Sequence, residues 1–427
     1  MNLSVFPCNS FNFVSDKIAS DKSISHRCAL FSLLSPQPSV IRNYLQAEDT
    51  LCTLDIVQAL GASVTYKDDA MYITPPHKIV EPPCILDCGN SGTAIRLLMG
   101  FLAGIDGFFV LFGDKYLAQR PMRRIANPLR SIGASIDGRC DGEYAPLSIR
   151  GQKLKAFHYE SPIASAQVKS ALLLAGLHSD GTCSFVEPHL SRDHSENMLK
   201  GMGLAIQREG TKITFQAPMQ SLKPLDITVP NDPSSGFFFA LAAAIVPNAQ
   251  VTLKNMLLNP TRIEAYKILQ KMGTHIEFIT TSKNYEEVGD IVVRNAPLKS
   301  VQVSENIAWL IDELPALSIA FACANGVSIV KNAAELRVKE SDRIASVVKN
   351  LQLCGINVRE FEDGYEIQGG ALRSATIESF GDHRIAMSFA IAGLIVPMQI
   401  QNVACVQTSF PNFIDLLAQI TTVKSYM

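Results

Sequence analysis

The sequence predicts an α/β protein (α+β in finer detail) made of six repeated βαβαββ units grouped as two domains of three. Two interleaved helical series and the β-branched stretches between them predict it. The first series is an amphipathic helix, a Gly and a strand start. It appears as "TLDIVQALGASV" at Gly61, "IANPLRSIGASI" at Gly133, "SENMLKGMGLAI" at Gly203, "EAYKILQKMGTHI" at Gly273 and "ASVVKNLQLCGINV" at Gly355. The intervals are 72, 70, 70 and 82 residues. One glycine after a helix is an ordinary left-handed cap, but five near a single period mark an internal repeat.

The second series is short, apolar and rich in small residues: "SISHRCALFSLL", "GTAIRLLMGFLAG", "SAQVKSALLLAGL", "SSGFFFALAAAIV", "ELPALSIAFACANG" and "DHRIAMSFAIAGLIV". These segments start near Ser23, Gly92, Ser165, Ser234, Asp312 and Asp382. Helices apolar almost all round are buried helices. Between the helices lie strand-like stretches such as "FFVLFG", "CSFVEP", "QVTLKNM", "VSIVKNA" and "PMQIQNV". Each unit therefore reads strand, buried helix, strand, amphipathic helix, strands, with buried helices inside and sheets outside. The last unit ends in "FPNFIDLLAQI", a helix without its Gly. Periodicity does not set the order of strands in space.

A chain of 427 residues is too long for one ordinary core, so two or three domains are expected. Hydrophobic content of 47% supplies a large interior, and a net charge of −2 without charge runs argues against a nucleic-acid binder. The ten cysteines are scattered, Cys84 and Cys88 being the nearest pair, and no His/Cys spacing suits a metal. Reduced thiols in a cytoplasmic protein are expected. The N-terminus lacks a basic region followed by a long apolar one, and the longest apolar run, Gly236 to Pro247, is about half a membrane span. No membrane association is expected.

The buried helices begin with polar residues. These are Lys22, Ser23 and Arg27; Asn90, Gly92 and Thr93; Ser165 and Gln167; Asp232, Ser234 and Ser235; Asp312 and Glu313; Asp382, His383 and Arg384. Helix N-termini offer free N–H groups and the positive dipole end, which suit anions. N-capping accounts for Ser20, Asp21, Ser165, Asp232 and Asp382. It does not account for Lys22, Arg27 and Arg384, which fit if an anion sits between them and the helix. Arg120 precedes a Pro-started helix in "GDKYLAQRPMRRI". "ELRVKESDRIASVV" holds Lys339, Glu340 and Arg343, and a spacing of three places Glu340 and Arg343 on one helix face. Alone that pair reads as a weak surface ion pair. With Arg120, Arg384 and Lys22 it points to a second anion site of the arginine type. No glycine-rich nucleotide loop is present.

"SDKSISHR", "LDCGNSGTAIRLL", "RPMRRIANPL", "ASAQVKSALLLAGL", "NPTRIEAYKILQKMG", "IDELPALSIA", "ELRVKESDRI" and "GDHRIAMSFAIAGL" together resemble the 5-enolpyruvylshikimate-3-phosphate synthase family, in its second bacterial branch. The resemblance runs from about Ser20 to "SFPNF". It implies an inside-out α/β barrel of the enolpyruvyl transferase type. The N-terminal domain would span 20–229 and hold shikimate 3-phosphate. Residues 1–19 and 230–427 would form the C-terminal domain with the catalytic carboxylates. The implied reaction moves the enolpyruvyl group of phosphoenolpyruvate to the 5-hydroxyl of shikimate 3-phosphate, in a monomer, with no metal or organic cofactor.

By the same resemblance, Lys22, Ser23, Arg27, Ser165, Ala166, Gln167 and Arg192 would hold shikimate 3-phosphate. Lys22, Asn90, Gly92, Arg120, Gln167, Arg343 and Arg384 would hold phosphoenolpyruvate. Asp312 and Lys339 would face the attacking hydroxyl, and Glu340 the methylene carbon. Glyphosate would compete with phosphoenolpyruvate, and Gly92 stands where tolerant members carry Ala. Ala166 in place of a second Ser, Glu335 in place of an Asn and Thr408 in place of a Lys depart from the other branch, leaving peripheral phosphate contacts open. Two other readings stand beside this one: a UDP-N-acetylglucosamine enolpyruvyl transferase, which usually carries a Cys in the loop here reading "FGDKYLAQRP", and a non-catalytic scaffold for anionic metabolites.

Overall fold

The computed structural model describes residues 1–426. Among them the chain forms six four-stranded sheets, and all six share one strand order. In one, Leu86–Asp87 runs parallel to Phe108–Phe112, which pairs antiparallel with Tyr144–Arg150, which pairs antiparallel with Ser135–Gly138. A parallel step needs a crossover, and the buried helix Gly92–Leu102 supplies it. The amphipathic helix Arg123–Ser131 then leads to the last two strands.

The repeat is not confined to consecutive chain. The sheet of Ser39–Arg42 takes its parallel edge from Asp226–Thr228. The sheet of Gln250–Leu257 takes its edge from Asn12–Ser15. The strand Asn2–Val5 lies between Met398–Gln401 and Val423–Tyr426. Strand segments distant in sequence thus complete three of the six sheets.

The five repeat glycines all sit past a helix end with left-handed backbone: φ is 101° at Gly61, 104° at Gly133, 101° at Gly203, 115° at Gly273 and 78° at Gly355. Such values strain any residue with a Cβ, which is why glycine recurs there.

Five of the six buried helices have side-chain caps. Asp21 accepts from the Ile24 N–H, Ser91 from Ala94, Ser165 from Val168, Asp232 from Ser234 and Asp382 from Arg384. Asp21 rather than Ser20 is the first cap. The fifth helix, Leu314–Ala322, starts later than expected; Glu313 precedes it without a side-chain cap, and a short turn Ile307–Leu310 comes before.

Helix Pro233–Ile245 shows why these segments are apolar all round. Successive residues point about 100° apart, so Phe237, Phe238 and Phe239 face three directions, and each finds an aromatic partner. The ring centroids lie 5.2 Å from Tyr266, 6.0 Å from Phe413 and 5.3 Å from Phe13. Each buried ring contributes roughly 1.5–3 kcal/mol. The terminal helix, Phe413–Leu417, is only five residues long and is held by these aromatic contacts.

The chain divides into two compact units. One comprises Ser20–Val229 with Asn284–Glu286, the other Met1–Ala19, Pro230–Lys283 and Glu287–Met427. The three residues 284–286, expected with the C-terminal segment, belong to the first unit because Glu286 is bound there by His194 Nδ1 at 2.7 Å and Asn197 Nδ2 at 3.2 Å. No helix of the described residues is long and apolar enough to cross a membrane.

Gly100 separates the Gly92–Leu102 and Ala166–Gly176 helices. A Cβ there would lie 2.1 Å from the Ala171 carbonyl oxygen, a backbone atom that cannot swing away, whereas a Cβ on Gly203 would meet nothing within 4 Å. Gly203→Ala is expected to cost about 1 kcal/mol through its backbone angle alone, and Gly100→Ala about 3 kcal/mol through overpacking. Urea unfolding of both variants measures this, and equal losses would contradict it.

Candidate active site

In the Ser20–Val229 unit, helices Lys22–Phe31, Gly92–Leu102 and Ala166–Gly176 are tied pairwise near their N-terminal ends. His26 Nε2 lies 3.2 Å from Ser91 Oγ and joins the first to the cap of the second. Arg96 Nη1 donates to Gln167 Oε1 at 2.6 Å and joins the second to the third. Arg27 Nη2 donates to Ser170 Oγ at 3.0 Å and joins the third back to the first. The candidate shikimate 3-phosphate residues Lys22, Ser23, Arg27, Ser165, Ala166 and Gln167 therefore stand on one braced framework.

Lys22 and Arg27 both have close partners. Lys22 Nζ is 2.9 Å from Asp49 Oδ2. Arg27 also donates from Nε to Ser195 Oγ at 2.8 Å and from Nη1 to the Ser23 carbonyl at 2.9 Å. Arg192 stands three residues before Ser195. Its loop is pinned by the buried Lys169, whose Nζ is 2.7 Å from Glu187, 2.9 Å from Glu196 and 3.4 Å from the Ser191 carbonyl. Gln167 must turn its oxygen to Arg96, because a guanidinium only donates. Its amide nitrogen is left for Thr93 Oγ1, a long 3.4 Å away, and for a ligand.

Asn90, Gly92 and Arg120 come together. Asn90 Nδ2 donates to Asp114 Oδ2 at 2.8 Å, and Asp114 Oδ1 also accepts from the Leu117 N–H of the turn Leu117–Gln119 that precedes Arg120. The Arg120 guanidinium lies over Gly92 so closely that a Cβ there would be 2.8 Å from Cζ. Arg96 Nη2 holds the Pro121 carbonyl at 3.0 Å, fixing the backbone just after Arg120.

In the other unit, Arg343 is the centre. It is almost wholly buried, and three carboxylates surround it: Asp382 Oδ2 at 2.8 Å from Nε, Glu340 Oε2 at 2.7 Å from Nη2 and Asp312 Oδ1 at 3.3 Å from Nη1. Burial alone would lower its pKa, but Asp382, then Glu340 and Asp312, hold it above the ordinary arginine value. Glu340 and Arg343 do not share a helix face as expected. Asp342 caps the helix, which begins at Arg343, so Glu340 reaches back from the preceding segment. Nor is the pair a surface one. Lys339 turns to Glu335 at 3.1 Å, so the Glu335 departure supplies its partner. Thr408 Oγ1 lies 3.3 Å from His383 Nδ1. Arg384 is buried, its Nε has no hydrogen-bond partner, and no carboxylate of the described residues pairs with its side chain.

Sequence reasoning missed Asp49, Arg96, Ser170 and Ser195 as partners of the candidate residues. It saw Asp382 only as a cap, where it also binds Arg343. No group of three or more His, Cys, Asp or Glu among the described residues is placed to hold a metal ion.

The six-sheet architecture, with cationic helix starts in one unit and a carboxylate-ringed arginine in the other, defines the enolpyruvyl transferase class. A family model described as EPSP synthase (3-phosphoshikimate 1-carboxyvinyltransferase) matches residues 14–417. The chain is 60% identical over 427 residues to the 3-phosphoshikimate 1-carboxyvinyltransferase of a Nitratiruptor species, covering 99% of each. It is 61% identical over 404 residues to that of Campylobacter curvus, covering 95% of each. Its fold matches the solved EPSP synthase of Acinetobacter baumannii with a TM-score of 0.87 at 38% identity, over 99% of this chain and 100% of that one. The enolpyruvyl transferase NikO from Streptomyces tendae shares the fold, with a TM-score of 0.78 at 16% identity over 99% and 98% of the two chains. The chain belongs to the EPSP synthase family.

His26 is fully enclosed, with Nδ1 2.8 Å from Thr53 Oγ1. Burial first, then Lys22 and Arg27, lower its pKa well below 6.5. The unfolded chain takes up a proton below pH 6.5 that the folded ring refuses. This stabilisation is thus fully present above that pH and is lost as the pH falls below it. The His26 ring resonances are expected to show no titration midpoint near pH 6.5 in NMR spectra. A midpoint near 6.5 would contradict the enclosed, neutral ring.

Proposed function

We infer that this chain transfers the enolpyruvyl group of phosphoenolpyruvate to the 5-hydroxyl of shikimate 3-phosphate and releases phosphate. The observation that carries the reading is the clustering of Asp312 and Glu340 on one buried arginine. A mere binder of anions gains nothing from carboxylates beside its cation. The absence of Cys from "FGDKYLAQRP" speaks against the UDP-N-acetylglucosamine reaction.

The Ser20–Val229 unit would hold shikimate 3-phosphate through Lys22, Ser23, Arg27, Ser165, Ala166, Gln167 and Arg192. Lys22, Asn90, Gly92, Arg120, Gln167, Arg343 and Arg384 would hold phosphoenolpyruvate. Asp312, with Lys339, takes the proton of the attacking hydroxyl as the new C–O bond forms, and Glu340 delivers a proton to the methylene carbon. The tetrahedral adduct then loses phosphate as Glu340 takes that proton back, and the double bond re-forms. The cations stabilise the charge on the adduct and on the departing phosphate.

A phosphate-release assay with phosphoenolpyruvate and either shikimate 3-phosphate or UDP-N-acetylglucosamine tests the reading: turnover is expected only with the first acceptor, and turnover only with the second would overturn it. Glu340→Gln is expected to bind both substrates while kcat falls roughly 10²-fold or more; near-parental turnover would remove Glu340 from the mechanism. Gly92→Ala presses a methyl against the far end of Arg120, a side chain able to shift. Glyphosate is longer than phosphoenolpyruvate, so its inhibition constant is expected to rise by a larger factor than the KM for phosphoenolpyruvate. Equal factors would show that this contact does not discriminate.

A further inference from the structure

Arg343 has no N–H left for a substrate. Its guanidinium carries five. Nε donates to Asp382 Oδ2, Nη1 faces the Ile311 carbonyl at 3.3 Å and Asp312 Oδ1 at 3.3 Å, and Nη2 faces Glu340 Oε2 at 2.7 Å and Asp382 Oδ1 at 3.5 Å. An entering carboxylate must displace one of these groups. Asp382 is fixed: it is fully buried, accepts from Ser341 Oγ at 3.1 Å and caps the next helix through the Arg384 N–H at 2.8 Å. Ile311 offers backbone. Glu340 and Asp312 keep 17% and 25% of their side chains exposed and can swing away.

We propose that Arg343 is a carboxylate exchanger. In the free protein it stores Glu340 and Asp312, and a substrate carboxylate binding across Nη1 and Nη2 releases both, while Asp382 holds the guanidinium in place. This rests on the reading of the site given above and adds how the acid is made ready. On Arg343, Glu340 is an ionised partner and has no proton to give. Once displaced it loses that cation and gains a neighbouring anion, and both changes favour its protonated form. Charged groups near it include Lys339, which is held by Glu335, and the two other carboxylates on Arg343, Asp312 and Asp382. The proton comes from solvent, one for each Glu340 that is neutralised. Substrate binding thereby converts Glu340 from counter-ion to acid.

The probe is phospholactate, the saturated analogue that keeps the carboxylate and phosphate of phosphoenolpyruvate but has no methylene to protonate. It is titrated calorimetrically into the full-length protein with shikimate 3-phosphate present, at pH 7, in two buffers of different ionisation enthalpy. Binding is expected to take up roughly half a proton or more. In Glu340→Gln the uptake should vanish, and phospholactate should bind roughly 2–10-fold more tightly, because a neutral amide competes less well for Arg343. Asp382→Asn, which loosens the anchor instead, should weaken phospholactate while leaving shikimate 3-phosphate affinity unchanged. Binding without proton uptake, or Glu340→Gln binding no tighter than the parent, overturns the exchange. Failure of phospholactate to bind at all overturns the site reading instead.

Discussion

A buried cation at the positive end of a helix is the constraint on which this molecule turns. The dipole opposes it and burial opposes it, so each such charge needs an anion or several hydrogen bonds. The part-buried Lys22 begins one helix and is held by Asp49; the buried Arg343 begins another and is held by Asp382, Glu340 and Asp312. Arg27, one turn into its helix, is bound by Ser170, Ser195 and the Ser23 carbonyl. Even His26, between Lys22 and Arg27, stays neutral for the same reason. The surrounding fold exists in part to keep these groups dry and matched.

Six sheets of one pattern make this possible. In four of the six sheets a buried helix crosses from the parallel edge strand to its neighbour, as Gly92–Leu102 does from Leu86–Asp87 to Phe108–Phe112; in the sheets of Ser39–Arg42 and Gln250–Leu257 the edge strand comes from distant chain. Repetition therefore delivers six helix starts without six separate solutions. The ties between them are side-chain bonds that differ at each pair: His26 to Ser91, Arg96 to Gln167, Arg27 to Ser170. The scaffold repeats, and the chemistry sits on the differences.

The repeat was legible because its signals are local. A glycine at φ near 100° is demanded by the chain within one turn of a helix end, and five of them fall in register. The candidate charges were legible because cations at helix starts contradict the dipole. What was hidden depends on distant chain. Nothing near Ser39–Arg42 announces that Asp226–Thr228 will be its neighbour, and nothing near Arg96 announces Gln167, 71 residues on. The Glu340 helix-face reading failed for a local reason that was present: Asp342 is a helix cap, so the spacing of three crossed a helix boundary. Asp382 was visible as a cap, but its second task, binding Arg343 from 39 residues away, was not.

Arg384 tests the central claim most directly, since its Nε is buried without a partner and no described carboxylate pairs with its side chain. If the helix starts carry charge for a ligand rather than for stability, replacing this cation with an apolar side chain of similar length should relieve the free protein. Thermal unfolding of Arg384→Met decides it. The expected result is a Tm above the parent's without ligand, together with loss of the Tm rise that phosphoenolpyruvate and shikimate 3-phosphate produce in the parent. A Tm below the parent's, with the ligand-induced rise intact, would show that Arg384 serves the fold and would contradict the account.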